Sequence, residues 1–242
     1  MKKDRNENII FMANYKHLFF DLDRTLWDFE SNSIDTFRDI FAKHQLDKIF
    51  PDFDTFITVY KRNNEELWAK YRTGEIKKET LRTDRFLLTL KEFGVDDINL
   101  AQKIGDDYIT ISPTKSRVFP HTHDVLDYLK QKGYKMHIIT NGFNEVQFIK
   151  LRNCDLEKYF DNVITSENAG YQKPRKEVFH YAVSSVNAKK DTCLMIGDDP
   201  DTDMLGAKNY GMDQVFFNTC KSNISFNPTY SIDCLSELRD LL

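Results

Sequence analysis

Lys16-His17-Leu18-Phe19-Phe20-Asp21-Leu22-Asp23-Arg24-Thr25-Leu26 is an apolar run that ends in two aspartates and a threonine. A short apolar segment bounded by polar residues reads as a buried strand. Its polar cluster then lies at the strand's carboxyl end, where open α/β sheets place their ligands. Two carboxylates one residue apart in a tight turn repel each other. A hard cation bound by oxygen ligands, or a proton on one carboxyl group, has to offset that repulsion.

From about Thr114 onward, strand and helix signals alternate. Strands are expected at Tyr134–Ile139 (ending in Thr140-Asn141-Gly142), Asn162–Thr165, Thr192–Ile196 (ending in Gly197-Asp198-Asp199) and Gln214–Phe217. Helical patterns fall at Asp124–Lys132, Glu145–Leu151, Lys176–Val186 and Met204–Tyr210, two of them stopped by Gly133 and Gly211. Strands alternating with helices imply a parallel sheet covered on both faces. A final short amphipathic helix is expected over Leu235–Leu242.

Between Phe29 and Ile111 the pattern changes. Apolar residues recur at helical spacing, as in Ile34, Phe37, Ile40 and Phe41, then Phe53, Phe56, Ile57 and Tyr60, then Phe86, Leu87, Leu90 and Phe93. A helical block inserted after the first strand suggests a lid, hinged near Trp27–Glu30 and Ser112–Pro120. The fold class expected is therefore α/β, a Rossmann-like parallel core made of residues 1–28 and 113–242, with an all-α cap over residues 29–112.

The 242 residues suffice for a substantial core, and a net charge of −4 lets neither sign dominate. That balance argues against a nucleic-acid polymer or an anionic membrane as partner. No apolar run approaches the length of a membrane span. Met1–Tyr15 carries too short an apolar stretch for a signal-peptide core and reads as a loosely packed leader. Cys154, Cys193, Cys220 and Cys234 lie far apart without metal-ligand spacing. They read as reduced thiols of a cytoplasmic protein.

Four polar clusters follow four expected strands: Asp21/Asp23/Thr25, Thr140/Asn141/Gly142, Lys173 beyond Ser166, and Asp198/Asp199/Asp203. Their order and strand-end placement resemble the phosphatases of the haloacid dehalogenase superfamily that carry a helical cap. The resemblance runs from about Lys16 to Leu242. It implies that Asp21 is the nucleophile, forming an aspartyl-phosphate, and that Asp23 is general acid and then base. It further implies Mg²⁺ held by Asp21, Asp198 and the backbone carbonyl of Asp23. Thr140 and the amides of Asn141 and Gly142 would hold the phosphoryl oxygens, and Lys173 would neutralise charge on nucleophile and phosphate. Asp199 or Asp203 would reach the metal through water or orient its neighbours. Thr25 would order the turn, or cap the segment that follows it.

The sequence departs from the pattern at Arg24, where many relatives carry glycine, so the turn there is expected to be tighter or to contact the cap. Asp199 stands where serine, threonine or asparagine is common. Asp23 favours phosphoryl chemistry, because the dehalogenase branch lacks a carboxylate at that position. Leu67-Trp68-Ala69-Lys70-Tyr71-Arg72-Thr73-Gly74-Glu75-Ile76, Ile139-Thr140-Asn141-Gly142-Phe143 and the five-residue step from Asp198 to Asp203 are similar to bacterial pyrimidine 5′-nucleotidases. The small-molecule partner this implies is a nucleoside monophosphate. Trp68, Tyr71 and Phe143 are candidates for stacking a base, set against the alternative that they are cap core. Lys70, Arg72, Arg82 and Arg85 are candidates to meet its polar groups, set against a solvated helix face. The other readings are a broad phosphatase of sugar phosphates, phosphoglycolate or pyridoxal phosphate, a phosphomutase, and a binding protein that kept the fold.

Overall fold

The computed structural model describes residues 15–219, 221 and 226–242. The leader expected at Met1–Tyr15 lies outside them except for Tyr15, as does Cys220. The α/β core holds six strands: β1 (His17–Phe20), β2 (Lys135–Thr140), β3 (Asn162–Thr165), β4 (Cys193–Gly197), β5 (Asp213–Phe217) and β6 (Tyr230–Ile232). They form one sheet in the order β3-β2-β1-β4-β5-β6, every neighbouring pair parallel. The three-residue β6 was not expected from the sequence.

Alternation along the strands splits the core into two apolar layers. Leu18, Phe20, Ile138, Leu194, Ile196 and Val215 face one layer, whereas Phe19, Ile139, Met195 and Phe216 face the other. Both faces are thus dry, which is why β4 reads as a continuous apolar run. Helices α5 (Thr122–Gln131), α6 (Asn144–Asn153), α8 (Lys176–Ser185) and α9 (Gly206–Tyr210) supply the crossovers, with the single turn α7 (Ser166–Ala169). The helix expected to begin at Met204 is preceded instead by a π-helical turn, Pro200–Leu205. The expected C-terminal helix divides into a 3₁₀ turn, Leu235–Glu237, and α10 (Leu238–Leu241).

The insertion is four helices: α1 (Phe29–Lys43), α2 (Phe53–Thr73), α3 (Lys78–Lys91) and α4 (Ile98–Ile111). Their boundaries are set locally. Asp28, Asp52 and Asp97 cap α1, α2 and α4 by accepting from Ser31, Thr55 and Leu100 amides. Gly74, at φ +80°, ends α2 in the left-handed region that glycine adopts without strain. The cap has its own apolar cluster, built on Phe37, Phe56, Tyr60, Phe86 and Tyr108. Phe37 stacks on Tyr108 with centroids 4.9 Å apart. Arg85 is buried here, its guanidinium 4.8 Å from the Tyr108 ring centroid, so it is cap core and not a substrate contact. No helix among the described residues is long and apolar enough to cross a membrane.

The two connections between cap and core run side by side. Asn32 Nδ2 donates to Arg117 O at 2.7 Å, and Arg117 N donates to Asn32 Oδ1 at 3.1 Å. Trp27 also forms a β-bridge with Val118.

Candidate active site

The sheet delivers its polar residues to one end. Asp21 continues β1 by donating its amide to Ile196 O at 2.9 Å, and its side chain is buried. The chain then folds back, with Leu26 and Trp27 amides both donating to Leu22 O. Arg24 takes φ +68° within this turn, the conformation that glycine would adopt freely. Its guanidinium lies 4.2 Å from the Phe29 ring centroid and pairs with Glu30 at 2.9 Å, both on the first cap helix. The departure at this position therefore does join the turn to the cap.

On the neighbouring strand, Asp198 follows Gly197. Thr25 Oγ1 donates to Asp198 Oδ1 at 3.1 Å, so Thr25 ties the β1 turn to the β4 loop. Asp199 caps the π-helical turn, accepting from Asp201 and Thr202 amides at 2.9 and 2.8 Å. Asp199 therefore orients the loop. The turn, with the Met204 amide donating five residues back to Asp199 O at 3.1 Å, absorbs the longer step between Asp198 and Asp203. Asp203 is fully buried. A Cβ on Gly197 would fall 2.3 Å from Asp203 Oδ2, so only glycine leaves room for that carboxylate.

Lys173 joins these strands. Its ammonium, 2 % exposed, lies 2.5 Å from Asp21 Oδ1 and 2.6 Å from Asp203 Oδ1, and donates to Ile139 O at 2.9 Å. Asn141 holds the lysine loop in place: Lys173 N donates to Asn141 Oδ1 at 2.8 Å, and Asn141 Nδ2 donates to Lys173 O at 3.0 Å. Thr140 Oγ1 accepts from Gly142 N at 3.0 Å and from Gln147 Nε2 at 2.7 Å. In this state the Gly142 amide, expected to face a phosphoryl group, is thus given to Thr140.

Asp23, expected as general acid with only its backbone carbonyl on the metal, has its side chain held by the helix that follows β2. Its Oδ1 pairs with Lys150 at 2.5 Å and its Oδ2 accepts from Gln147 at 2.8 Å, so α6 holds the carboxylate. Carboxylate oxygens of Asp21, Asp198 and Asp203 lie within 4.8 Å of one another. Lys150 and Gln147 were missed in the sequence, where they read as ordinary polar positions of a helix.

With all three carboxylates ionised, one ammonium would leave two negative charges in excess here. Burial, with repulsion from Asp203 and Asp198, raises the Asp21 pKa well above the carboxylate range against the pull of Lys173. Burial and the Asp203 charge push Asp198 up to about 7, and burial raises Asp203 against the pull of Lys173. For Lys173 burial acts downward, but Asp203 and Asp21 outweigh it and hold the ammonium above its ordinary value. An all-oxygen donor set with this excess charge fits a hard divalent cation.

The cap closes over one side. Trp68 stacks on Phe143, centroids 5.6 Å apart, and Tyr71 meets the same ring edge-on at 6.2 Å. Lys78 reaches from the cap to Glu145 at 2.8 Å and Glu167 at 2.9 Å. Beside this contact a cleft of about 340 Å³ is lined by Tyr71, Arg72, Tyr171, Gln172 and Arg175, among others. Lys70 and Arg82 instead form exposed ion pairs with Glu66 and Asp106 within the cap.

Known proteins are similar to this chain in sequence and fold. The family model of haloacid dehalogenase-like hydrolases matches residues 15–211. The HAD-hydrolase YfnB of Bacillus subtilis is 30% identical, the alignment covering 96% of this chain and 97% of that protein. Its crystal structure, bound to magnesium and described as showing interdomain movement, superposes with a TM-score of 0.85 at 28% identity, over 95% of this chain and 99% of that one. Pyrimidine 5′-nucleotidase YjjG of Escherichia coli is 29% identical, over 93% of this chain and 96% of that protein. Pyrimidine 5′-nucleotidase PynA of Streptococcus pneumoniae is 30% identical, over 94% and 95%. With the six-stranded parallel sheet, the inserted helical cap and the strand-end carboxylates in place, the chain belongs to the haloacid dehalogenase-like hydrolases.

Proposed function

We propose that the protein is a Mg²⁺-dependent phosphomonoester hydrolase acting on nucleoside 5′-monophosphates, pyrimidine nucleotides among them. The observation that carries the chemistry is the buried Lys173 ammonium between Asp21 and Asp203, with a second loop carboxylate, Asp23, two residues beyond Asp21. The nucleotide class rests on the relatives named for that activity. We take residues 1–28 and 113–242 as the catalytic core and 29–112 as the cap. We take the setting as cytoplasmic, because four cysteines spaced far apart without metal-ligand spacing read as reduced thiols.

Asp21 attacks phosphorus through its carboxylate, while Asp23 gives a proton to the departing alcohol. Lys173 holds the nucleophile's position and offsets charge that develops on the phosphoryl oxygens. Thr140, with the amides of Asn141 and Gly142, receives those oxygens. Asp23 then takes a proton from the water that releases phosphate. Asp21, Asp198 and Asp203, with the Asp23 backbone carbonyl, would hold the cation. When bound, Mg²⁺ supplies positive charge beside the nucleophile and the transferring group. Closure of the cap keeps bulk solvent out during transfer of the phosphoryl group to Asp21.

A second reading, a broad phosphatase of small phosphorylated molecules, draws on Trp68 and Tyr71 being packed on Phe143 and not presented as an open slot. Phosphate release from a panel of esters with Mg²⁺, with Asp21→Asn as the blank, tests both. Preference for pyrimidine monophosphates supports the first. Preference for a sugar phosphate, phosphoglycolate or pyridoxal phosphate moves the substrate and keeps the chemistry. Transfer to a second sugar in place of water would indicate a mutase. Wild-type turnover in Asp21→Asn would overturn the mechanism, and no release from any ester would favour a binding protein.

A further inference from the structure

Helix α6 aims two polar side chains, one helical turn apart, at a single carboxylate. Lys150 Nζ lies 2.5 Å from Asp23 Oδ1, and Gln147 Nε2 donates to Asp23 Oδ2 at 2.8 Å and to Thr140 Oγ1 at 2.7 Å. Gln147 is fully buried, and Lys150 is 4 % exposed. The Lys150 ammonium also lies 4.0 Å from the Trp27 ring centroid. A lysine is buried this deeply only when its charge is paired, and here Asp23 is the partner. Gly142 makes the arrangement possible, because a Cβ there would fall 1.8 Å from Gln147 Nε2.

We propose that Lys150 and Gln147 are positioning residues for the hydrolysis proposed above: together they fix the direction in which the Asp23 carboxyl meets the leaving oxygen and the attacking water. The inference rests on that reading. In the first half-reaction a bond forms between Asp21 and phosphorus. The bond from phosphorus to the ester oxygen breaks, its electron pair stays on that oxygen, and the proton that Asp23 takes up from solvent as the anionic ester enters moves there. In the second half-reaction a water oxygen bonds to phosphorus, its proton returns to Asp23, and the Asp21–phosphorus bond breaks. Both steps need one carboxyl group in one place, and both of its oxygens are held by α6.

The test compares two leaving groups, because p-nitrophenolate departs without a proton and a nucleoside alkoxide does not. The value of kcat/KM reports the first half-reaction alone. For Lys150→Met it should fall by roughly 100-fold with a nucleoside monophosphate and by no more than roughly 3-fold with p-nitrophenyl phosphate. Lys150→Arg should restore most of the loss. If Lys150→Met does not fold, Gln147→Met should show the same split in the same direction. Equal losses on both esters, or none on either, would overturn the assignment and leave the pair a structural one. Absence of Asp21-dependent turnover of both esters in the wild type would instead overturn the hydrolase reading itself, before any α6 variant is compared.

Discussion

Trp68 of the cap and Phe143 of the core lie with their rings 25° from parallel and 5.6 Å apart, so one aromatic contact joins α2 to the loop after β2. The ring of Phe143 also carries Lys78 at 4.6 Å, and Lys78 pairs with Glu145 and Glu167 on the core. The inserted helices and the loop after β2 therefore share one aromatic and ionic contact.

Trp68→Ala should shift the cap toward its open position. An aromatic pair contributes about 0.5–1.5 kcal/mol beyond its area, a factor of roughly 2 to 10 in a two-state equilibrium. The expected outcome is a rise of that size in KM for the preferred ester, with thermal stability of the α/β core nearly unchanged. A KM equal to the wild type would remove the contact from the closing motion.

Chelation should lower the melting temperature and Mg²⁺ restore it, because a cation at a hundred times its Kd adds about 2.7 kcal/mol to the folded state. The affinity should depend on pH. Without metal, burial and the Asp203 charge hold Asp198 at about 7, so below that pH a proton has to leave before the cation binds. Calorimetric titration at pH 8 and pH 6 should show weaker binding at the lower value, by up to about tenfold per unit. Equal affinities at both would exclude Asp198 as a ligand.

His17 Nδ1 and His137 Nε2 lie 3.1 Å apart, and one of them must donate to the other, so the two rings cannot both be protonated. Burial, reinforced by His17, brings His137 down to about 4, and burial lowers His17 as well. A group depressed in the folded state contributes stability above its unfolded pKa of about 6.5 and loses it as pH falls toward the folded value. The melting temperature should therefore fall more steeply between pH 6.5 and 4 in the wild type than in His137→Leu, with a loss of up to about 1.4 kcal/mol per pH unit. Parallel curves would show that the pair does not titrate with unfolding.

Arg24 occupies a left-handed position at a cost of about 1–2 kcal/mol, against which stand its contacts with Phe29 and Glu30. Arg24→Ala keeps the strain and loses the contacts, whereas Arg24→Gly loses both. The glycine variant should be the more stable of the two by about 1 kcal/mol in denaturant unfolding. The reverse order would mean that the turn relaxes without glycine.

Much of this molecule was legible in its sequence, and the omissions have physical causes. The apolar runs at Leu18–Phe20 and Cys193–Ile196 are buried on both faces, so their signal is strong. Asp21, Lys173 and Asp198 could be placed because each follows a strand or a recognisable loop. Lys150 and Gln147 could not. Helix α6 turns Gln147, Lys150 and Leu151 inward, so its buried face is largely polar and its apolar periodicity is weak. Asp203, expected to reach the metal through water or to orient its neighbours, has its carboxylate within 4.8 Å of those of Asp21 and Asp198, over Gly197, where the π-helical turn carries it. The short β6 lies among turn-like residues, where three residues carry too little pattern to be read.

The paired hydrogen bonds between Asn32 and Arg117 mean that the chain leaves and re-enters the sheet domain at adjoining points. The four helices are thus attached like a graft on a single stem, closed before the first of them is complete. Because closure entropy grows only slowly with the length of what is enclosed, a longer or shorter helical bundle could be spliced onto the same stem at little cost to the sheet. Substrate choice and phosphoryl chemistry can therefore diverge separately, the one by exchanging the graft and the other by altering the strand ends beneath it.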